Sequence, residues 1–482
     1  MTSSPAPPTR TANPWSVLGI ASLASFMVFL DTQVLFVAFA DIRASFPDVS
    51  LAAMSWTLSA YTIALAAALV PAGRLADRFG RRRTFLIGLV AFTAASVLCA
   101  VATSPALLVG FRVVQALGAA ALIPASLAIV LSVFPHERIP VAVAIWGAIA
   151  ALAAAVGPTI GALLVDGWGW RAVFLINLPV GLATLVLARR TVPESREASS
   201  TRFPDPVGIA LLAGALSLLA LGIVQSDQWQ WFSARTIGVL LGGLLVLAAF
   251  VRRSSGHPHP ALDLGLFRAP SFRWANIATA VFTVGFTAMF FAQVLFLTGV
   301  WGYSIVRTGL AMIPGPVVVI VLAPLFGRLA GRVGQRTLLV PGGLVYAASG
   351  AWMLQSLTTE PAWASDLLPA SLLGGLGVSL VIPHLTSAAV QGLPPDTFGA
   401  GAAVNQAIRQ LGATFGVALT VALLGTVTPV NALGHFHRVW WMLLACGVLT
   451  SVAAWALPRR APAAHLVPDL SPVTTQPLEG IA

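Results

Sequence analysis

Apolar runs separated by short polar breaks fill the chain from about residue 15 to residue 457. They fall at about 15–40, 52–72, 84–102, 106–134, 140–165, 172–188, 207–226, 235–251, 274–299, 307–327, 337–356, 366–391, 400–426 and 438–457. Each of these fourteen runs is long enough, or nearly so, for the ~20 residues with which a helix crosses the hydrocarbon core of a bilayer. The pattern predicts an all-α integral membrane protein. Twelve spans plus two buried, non-crossing segments is the alternative, because 235–251 is short of a full span.

Composition agrees with that pattern. Hydrophobic residues make up 57% of the 482 and charged residues 9%, with a mean hydropathy of +0.88. A soluble domain carries roughly a quarter charged residues, so lipid is the main solvent of this chain. All 27 basic residues are arginine. Without a lysine the chain has no P-loop of its own, since that loop uses Lys to reach the phosphates.

The net charge of +11 is a topology signal rather than a nucleic-acid footprint. Most arginines fall in alternate loops and in the tails. Arg43, Arg171, Arg235, Arg307 and Arg438 lie on the other side, and Arg112 and Arg409 lie within helices. Basic residues stay in the cytoplasm, which places both termini there. Residues 1–14 and 458–482 read as polar cytoplasmic tails, the first lacking the features of a cleaved signal. Cys99 and Cys446 lie far apart inside separate helices and suggest neither a disulfide nor a metal site.

The run 52–72 leads into Gly73 to Arg83, GRLADRFGRRR, and the run 307–327 leads into Gly327 to Arg336, GRLAGRVGQR. The second copy keeps the glycines and most arginines but has Gly331 where the first has Asp77. Two like-oriented copies in equivalent places indicate a duplicated bundle. Six helices and short loops occupy roughly 175 residues. The copies are spaced widely enough for two more helices between the halves, and 207–226 and 235–251 supply them. The expected organisation is a tail over 1–14, a six-helix bundle over 15–190, two linker helices within 205–252, a second six-helix bundle over 272–457 and a tail over 458–482.

Polar residues deep in apolar runs are the candidate chemistry. Asp31 lies ~21 Å along an outward-running first helix, and Arg112 lies ~10 Å along an inward-running fourth helix. Both therefore sit at about the same depth in a ~30 Å core, where contact is possible if the helices are neighbours. An acid at that depth is costly unless paired or facing water. Burial raises its proton affinity and a nearby arginine lowers it. Opening and closing the pair would then switch proton binding, and Asp31 with Arg112 are the expected proton-coupling residues. A fixed structural pair is the alternative. Arg409 lies ~15 Å into the thirteenth run with Asn405 one turn earlier, and faces the water-filled path, backbone carbonyls or a substrate anion.

Several stretches together resemble one family. They are Leu30–Asp31, Ser55–Trp56 ahead of GRLADRFGRR, R-x-x-Q at Arg112 to Gln115, and GPTIG at Gly157–Gly161. WRAVFLINLPVG at Trp170–Gly181, LDLGLFR at Leu262–Arg268 and NQAIRQLG at Asn405–Gly412 complete the set. In this order over residues 15–457 they resemble the major facilitator superfamily, and within it the fourteen-helix drug:proton antiporters of the EmrB/QacA type. The resemblance implies the major facilitator fold, with two six-helix bundles and two extra helices beside the transport path. It implies a conformational latch at Gly73, Arg74, Asp77, Arg78, Gly80 and Arg81, and an exporter motif at Gly157, Pro158 and Gly161. The chain departs from the family where an asparagine and a Leu-Pro usually follow the first-helix LD. Phe36 and Phe39–Ala40 stand there, so the pocket is expected to be more apolar than usual.

The expected substrate cavity is lined by Gln33, Phe36, Trp56, Tyr61, Gln115, His384, Asn405 and Arg409. His384, beside Pro383, reads either as a hydrogen-bonded interior histidine or as a proton relay. Trp168, Trp170 and Arg171 suit a membrane interface. No Ser/His/Asp or metal-ligand grouping points to an enzyme. The function expected is a proton-coupled antiporter that exports amphipathic organic molecules by alternating access, multi-pass in the plasma membrane. No cofactor is expected beyond the proton gradient. The partners are the small-molecule substrate, protons and the lipid bilayer, with no nucleic acid, and the protein works as a monomer. An uptake symporter or facilitator on the same scaffold, or a non-transporting membrane sensor, are the alternatives.

Overall fold

The computed structural model describes residues 13–135, 138–195, 205–258, 260, 262–391, 393, 398–425 and 431–458. Most of both expected tails, with Arg10, Arg459 and Arg460, lies outside the described residues. The long helices are α1 (Pro14–Ser45), α2 (Leu51–Phe79), α3 (Arg81–Ala100), α4 (Pro105–Val133), α5 (Ile139–Trp168) and α6 (Ala172–Thr191). Then come α7 (Pro206–Val224), α8 (Ala234–Gly256), α9 (Pro270–Gly299), and α10, formed by Ile305–Ala311 and Pro314–Val333. The last are α11 (Gln335–Ser356), α12 (Trp363–Val390), α13 (Phe398–Leu424) and α14 (Ala432–Trp455).

Among the described residues, 13 helices are long and apolar enough to cross a membrane. To these α5 adds 30 residues whose one charged side chain is Asp166. The short run 235–251 is a full helix of 23 residues. Its polar flanks, Arg252 to Gly256 among them, hydrogen-bond as helix although they carry no apolar signal. Serines cap four of the helices that start on the face opposite the arginine loops. Ser50, Ser104, Ser233 and Ser304 each accept a backbone N–H in the first turn of α2, α4, α8 and α10.

The duplication is visible in the packing. The neighbours α1–α5, α2–α4, α3–α4 and α3–α6 recur as α9–α13, α10–α12, α11–α12 and α11–α14, an offset of eight helices. Small residues permit the close approaches. A Cβ on Gly118 of α4 would lie 2.5 Å from the backbone of Phe92 in α3, and one on Gly447 of α14 would lie 2.6 Å from the carbonyl of Gly343 in α11. The two sets meet along α2–α13, α5–α10 and α1–α9. The intervening helices α7 and α8 pack on each other, and α7 rests on α2 and α13. Outward-facing leucines of α8, such as Leu245 at 71% exposure, are left uncovered by the described residues.

An ion pair fastens this hairpin. Asp205 accepts from Val207 N at the start of α7 and receives two hydrogen bonds from Arg253 of α8, at 2.7 and 2.8 Å. The Arg253 guanidinium holds the Asp205 carboxyl down at about 2, below the usual value of about 3.9. A depressed acid contributes stability above its unfolded pKa and loses it as pH falls through the folded one. Asp205→Asn should therefore lower the thermal midpoint of the detergent-solubilised protein at pH 7. The deficit should shrink as pH falls from about 4 towards 2.

Candidate functional site

The centre of the first half holds a closed polar network. Asp31 of α1 and Arg112 of α4 are each 1% exposed and meet at 2.5 Å. The other carboxylate oxygen accepts from Gln115 Nε2 at 2.8 Å and from Asn177 Nδ2 at 2.9 Å. Arg112 also donates to Gln115 Oε1 at 2.6 Å and, through Nε, to the Thr57 carbonyl at 3.2 Å. Its guanidinium lies 3.9 Å from the Tyr61 ring centroid, a cation–π contact that gains strength where water is excluded. Ser96 of α3 takes hydrogen bonds from Gln115 and Asn177 and donates to the Phe174 carbonyl. A buried charge pair persists only when its remaining polar sites are satisfied, and here three side chains on two helices serve the one carboxylate.

The expected pairing of Asp31 with Arg112 is thus present. Gln115 and Tyr61, expected in a substrate cavity, are fully buried in this network instead. Asn177 and Ser96 were missed, although Asn177 lies within the WRAVFLINLPVG stretch. An isolated amide in an apolar run was the available signal.

The arginine knot begins inside a helix. Gly73 to Phe79 form the last turns of α2, which also contains Pro71. A proline in a membrane helix is tolerated where neighbours satisfy the freed carbonyl. The break comes at Gly80, whose φ of +112° suits glycine; a Cβ there would also lie 2.5 Å from Glu194 Oε1. Asp77 pairs with Arg81 at 2.9 Å. Arg74 donates to the Pro260 carbonyl at 2.7 Å, in the segment that leads to the second half. Arg82 donates to the Arg189 carbonyl at the end of α6, and its backbone N–H donates to Glu194. The second copy repeats the device. Gly334 breaks the helix at φ +84°, and Arg336 donates to the Leu457 carbonyl after α14 at 3.1 Å. Each copy ties its turn to the last helix of its own half. Glu194 was not read from the sequence, because only the fold brings it to Gly80.

The GPTIG stretch lies where three helices converge. A Cβ on Gly157 would be 2.5 Å from Gln33 Cβ, and one on Gly161 would be 3.0 Å from the Val34 backbone, both in α1. Across the halves, Gly309 of α10 comes against the Pro158 carbonyl and Ala162. On the face opposite the arginine loops, Phe36 and Phe39 of α1 meet Phe291 of α9, with ring centroids 6.2 and 4.9 Å apart. The phenylalanines that replace the usual polar pattern thus close the two halves on that face. Trp168 is 76% exposed as an interface residue would be, but Trp170 is buried. It donates to Ser45 from its ring and to Asp41 from its backbone.

The remaining cavity candidates are scattered. Trp56 is half-buried against the core. Asn405 is buried within the second half, donating to Asn276 and Thr279 of α9 and accepting from Thr386 of α12. His384 is 2% exposed, one turn after Leu380, which faces Gly342 of α11. Its Nε2 has no partner among the described residues. Arg409 is half-buried and has no hydrogen bond or ion pair among the described residues. Between the halves, Thr62 of α2 and Thr414 of α13 share a hydrogen bond of 2.7 Å. A separate groove of about 310 Å³ runs along α9 and α13 between Ile277, Ala280, Val284, Ile408, Leu411 and Phe415, and is almost wholly apolar. Among the described residues no group of three or more His, Cys, Asp or Glu could hold a metal.

A twice-built helical bundle with a buried ion pair at membrane depth defines a multi-pass membrane transporter, and comparison with known proteins agrees. The profile of the Major Facilitator Superfamily matches residues 21–417, and the chain belongs to that family. It is 36% identical over 422 residues to the multidrug resistance protein Stp of Mycobacterium tuberculosis, covering 86% of this chain and 77% of that one. It is 33% identical to the tetracenomycin C resistance and export protein of Streptomyces glaucescens, over 86% of this chain and 76% of the relative. It is 32% identical to the cephamycin export protein CmcT of Amycolatopsis lactamdurans, over 94% and 95% of the two chains. Among solved structures it resembles a D-xylose-proton symporter, with a TM-score of 0.68 at 16% identity over 92% of this chain and 98% of that one. That likeness establishes the fold. The chain is a multi-pass protein of the cell membrane.

Proposed function

We propose that this protein is a proton-coupled exporter of amphipathic organic molecules, in the fourteen-helix drug:proton antiporter branch of its family. The buried Asp31–Arg112 pair carries the reading. A carboxylate 1% exposed and held by three donors is a stable anion only while those donors stay in place. Its donors come from α4 and α6, so a shift of α1 against either withdraws the charge compensation of the carboxylate. Protonation from outside and release inside, alternating with substrate movement the other way, gives antiport. Relatives named for export favour the outward direction. The arginine-rich turns favour a cytoplasmic location for that face and for both termini. The aromatic contacts between α1 and α9 then shut the outer side. Gly73, Arg74, Asp77, Arg78, Gly80 and Arg81 act as the latch at the inner side, where Arg74 already reaches the linker at Pro260.

The test is accumulation of a fluorescent amphipathic dye in everted membrane vesicles energised by respiration. An exporter concentrates dye in the lumen, and a protonophore collapses the gradient. Accumulation in right-side-out vesicles alone would establish an importer, and indifference to the protonophore would remove the coupling.

A further inference from the structure

Two arginines lie deep in the membrane, and the protein treats them differently. Arg112 has a carboxylate, an amide oxygen, a backbone carbonyl and an aromatic face around it. Arg409, eleven residues after Phe398 and so ~16 Å into α13, has no acid and no hydrogen-bond acceptor among the described residues. Among the described residues, the acids between 270 and 457 are Glu360 and Asp366, both outside the middle of any span. A permanent cation at that depth is expensive and marks a pathway or a ligand rather than a packing contact.

Its direction follows from the helix around it. Asn405 donates to α9, and Gly412 and Gly416 close on the α9 backbone, so these three define the side of α13 that packs there. Ile408, Leu411 and Phe415 turn one way from that line, into the apolar groove. At about 100° per residue Arg409 turns about 40° the other way, and Val417, two turns further on, lies about 80° further round in the same sense. Val417 belongs to the same buried apolar cluster as Leu30 and Val34 of α1. Arg409 therefore lies on the flank of α13 that turns from α9 towards that cluster, ~12 Å below Val417.

Resting on the exporter reading, we infer that Arg409 is the anchor for an anionic group of the substrate, and that the exported molecules carry a carboxylate or phenolate on an apolar body. The guanidinium supplies paired N–H donors matched to a planar anion. The apolar cluster that holds Val417, Phe36 and Phe39 accepts the remainder of the molecule. Asn405, one turn before it, has its amide oxygen and amide nitrogen both engaged. Anion export and proton entry both move positive charge inward, so the membrane potential drives the two together.

Fluorescein and rhodamine 6G share a xanthene ring but carry opposite charge, and serve as probes. Fluorescence anisotropy on purified protein in nanodiscs reports binding, and everted vesicles report transport. Wild type should bind fluorescein, and Arg409→Gln should weaken that binding roughly tenfold or more with rhodamine 6G unchanged or improved. Arg409→Lys should restore part of the fluorescein affinity, as a point charge without the fork geometry. Absent fluorescein binding in wild type, or equal loss for both dyes in a variant of normal thermal stability, would overturn the inference. If fluorescein binds through Arg409 but neither dye is concentrated in vesicles, the anchor stands and the exporter reading falls.

Discussion

Asp31→Asn should insert and fold, yet lose concentrative, protonophore-sensitive transport. The amide keeps the shape of the side chain and can still accept from Arg112, which retains Gln115 Oε1 and the Thr57 carbonyl. What it cannot do is carry a proton between two states of different charge. One proton crossing 100 mV contributes ~2.3 kcal/mol, so the steady accumulation ratio should fall roughly fiftyfold per coupled proton at that potential. Downhill exchange of dye should persist, because it needs only the alternating movement of the halves. The measurement is dye accumulation in everted vesicles beside counterflow in the same preparation. Retained uphill transport that still collapses with a protonophore would move the coupling site away from Asp31.

The second large effect is on stability. Arg112→Leu removes the cation from a carboxylate that is 1% exposed, and removes its hydrogen bonds to the Thr57 carbonyl and Gln115 Oε1 as well. Breaking a buried pair by deleting one partner costs about 3–5 kcal/mol, because the other charge is left uncompensated. The thermal midpoint in detergent should fall sharply. Adding Asp31→Asn to Arg112→Leu should recover much of the loss, since no charge then remains to be solvated. Such a recovery is the signature of pairwise coupling in a double-mutant cycle. Additive losses in the double variant would mean that Arg112 acts through packing against Tyr61 rather than through its charge.

Both variants probe the same pair, but they separate two roles. A fixed structural pair loses stability in either variant and has no special effect on coupling. A switching pair loses coupling in Asp31→Asn at little expense in stability. Asn177 matters here, because it donates to the carboxylate whether or not Arg112 is present and is itself held by Ser96.

Hydropathy alone determined that this chain crosses the membrane many times, because a backbone in lipid must satisfy its hydrogen bonds within each helix. The repeated glycine–arginine stretch determined that the protein was built twice, and the packing offset by eight helices reflects it. Asp31 and Arg112 were legible for the same reason, since a charge in an apolar run is too costly to be accidental. Their partners were not legible. Asn177, Ser96 and Glu194 are ordinary polar residues in sequence, and they gain meaning only where the chain brings α3, α4 and α6 around α1 or the end of α6 to Gly80. Tertiary structure also decided which polar residues are spent internally. Tyr61, Gln115 and Asn405 are enclosed by neighbours, whereas Arg409 is left without one among the described residues. Which side chain is already satisfied depends on contacts between helices far apart in the chain, and periodicity within a single helix carries no record of them.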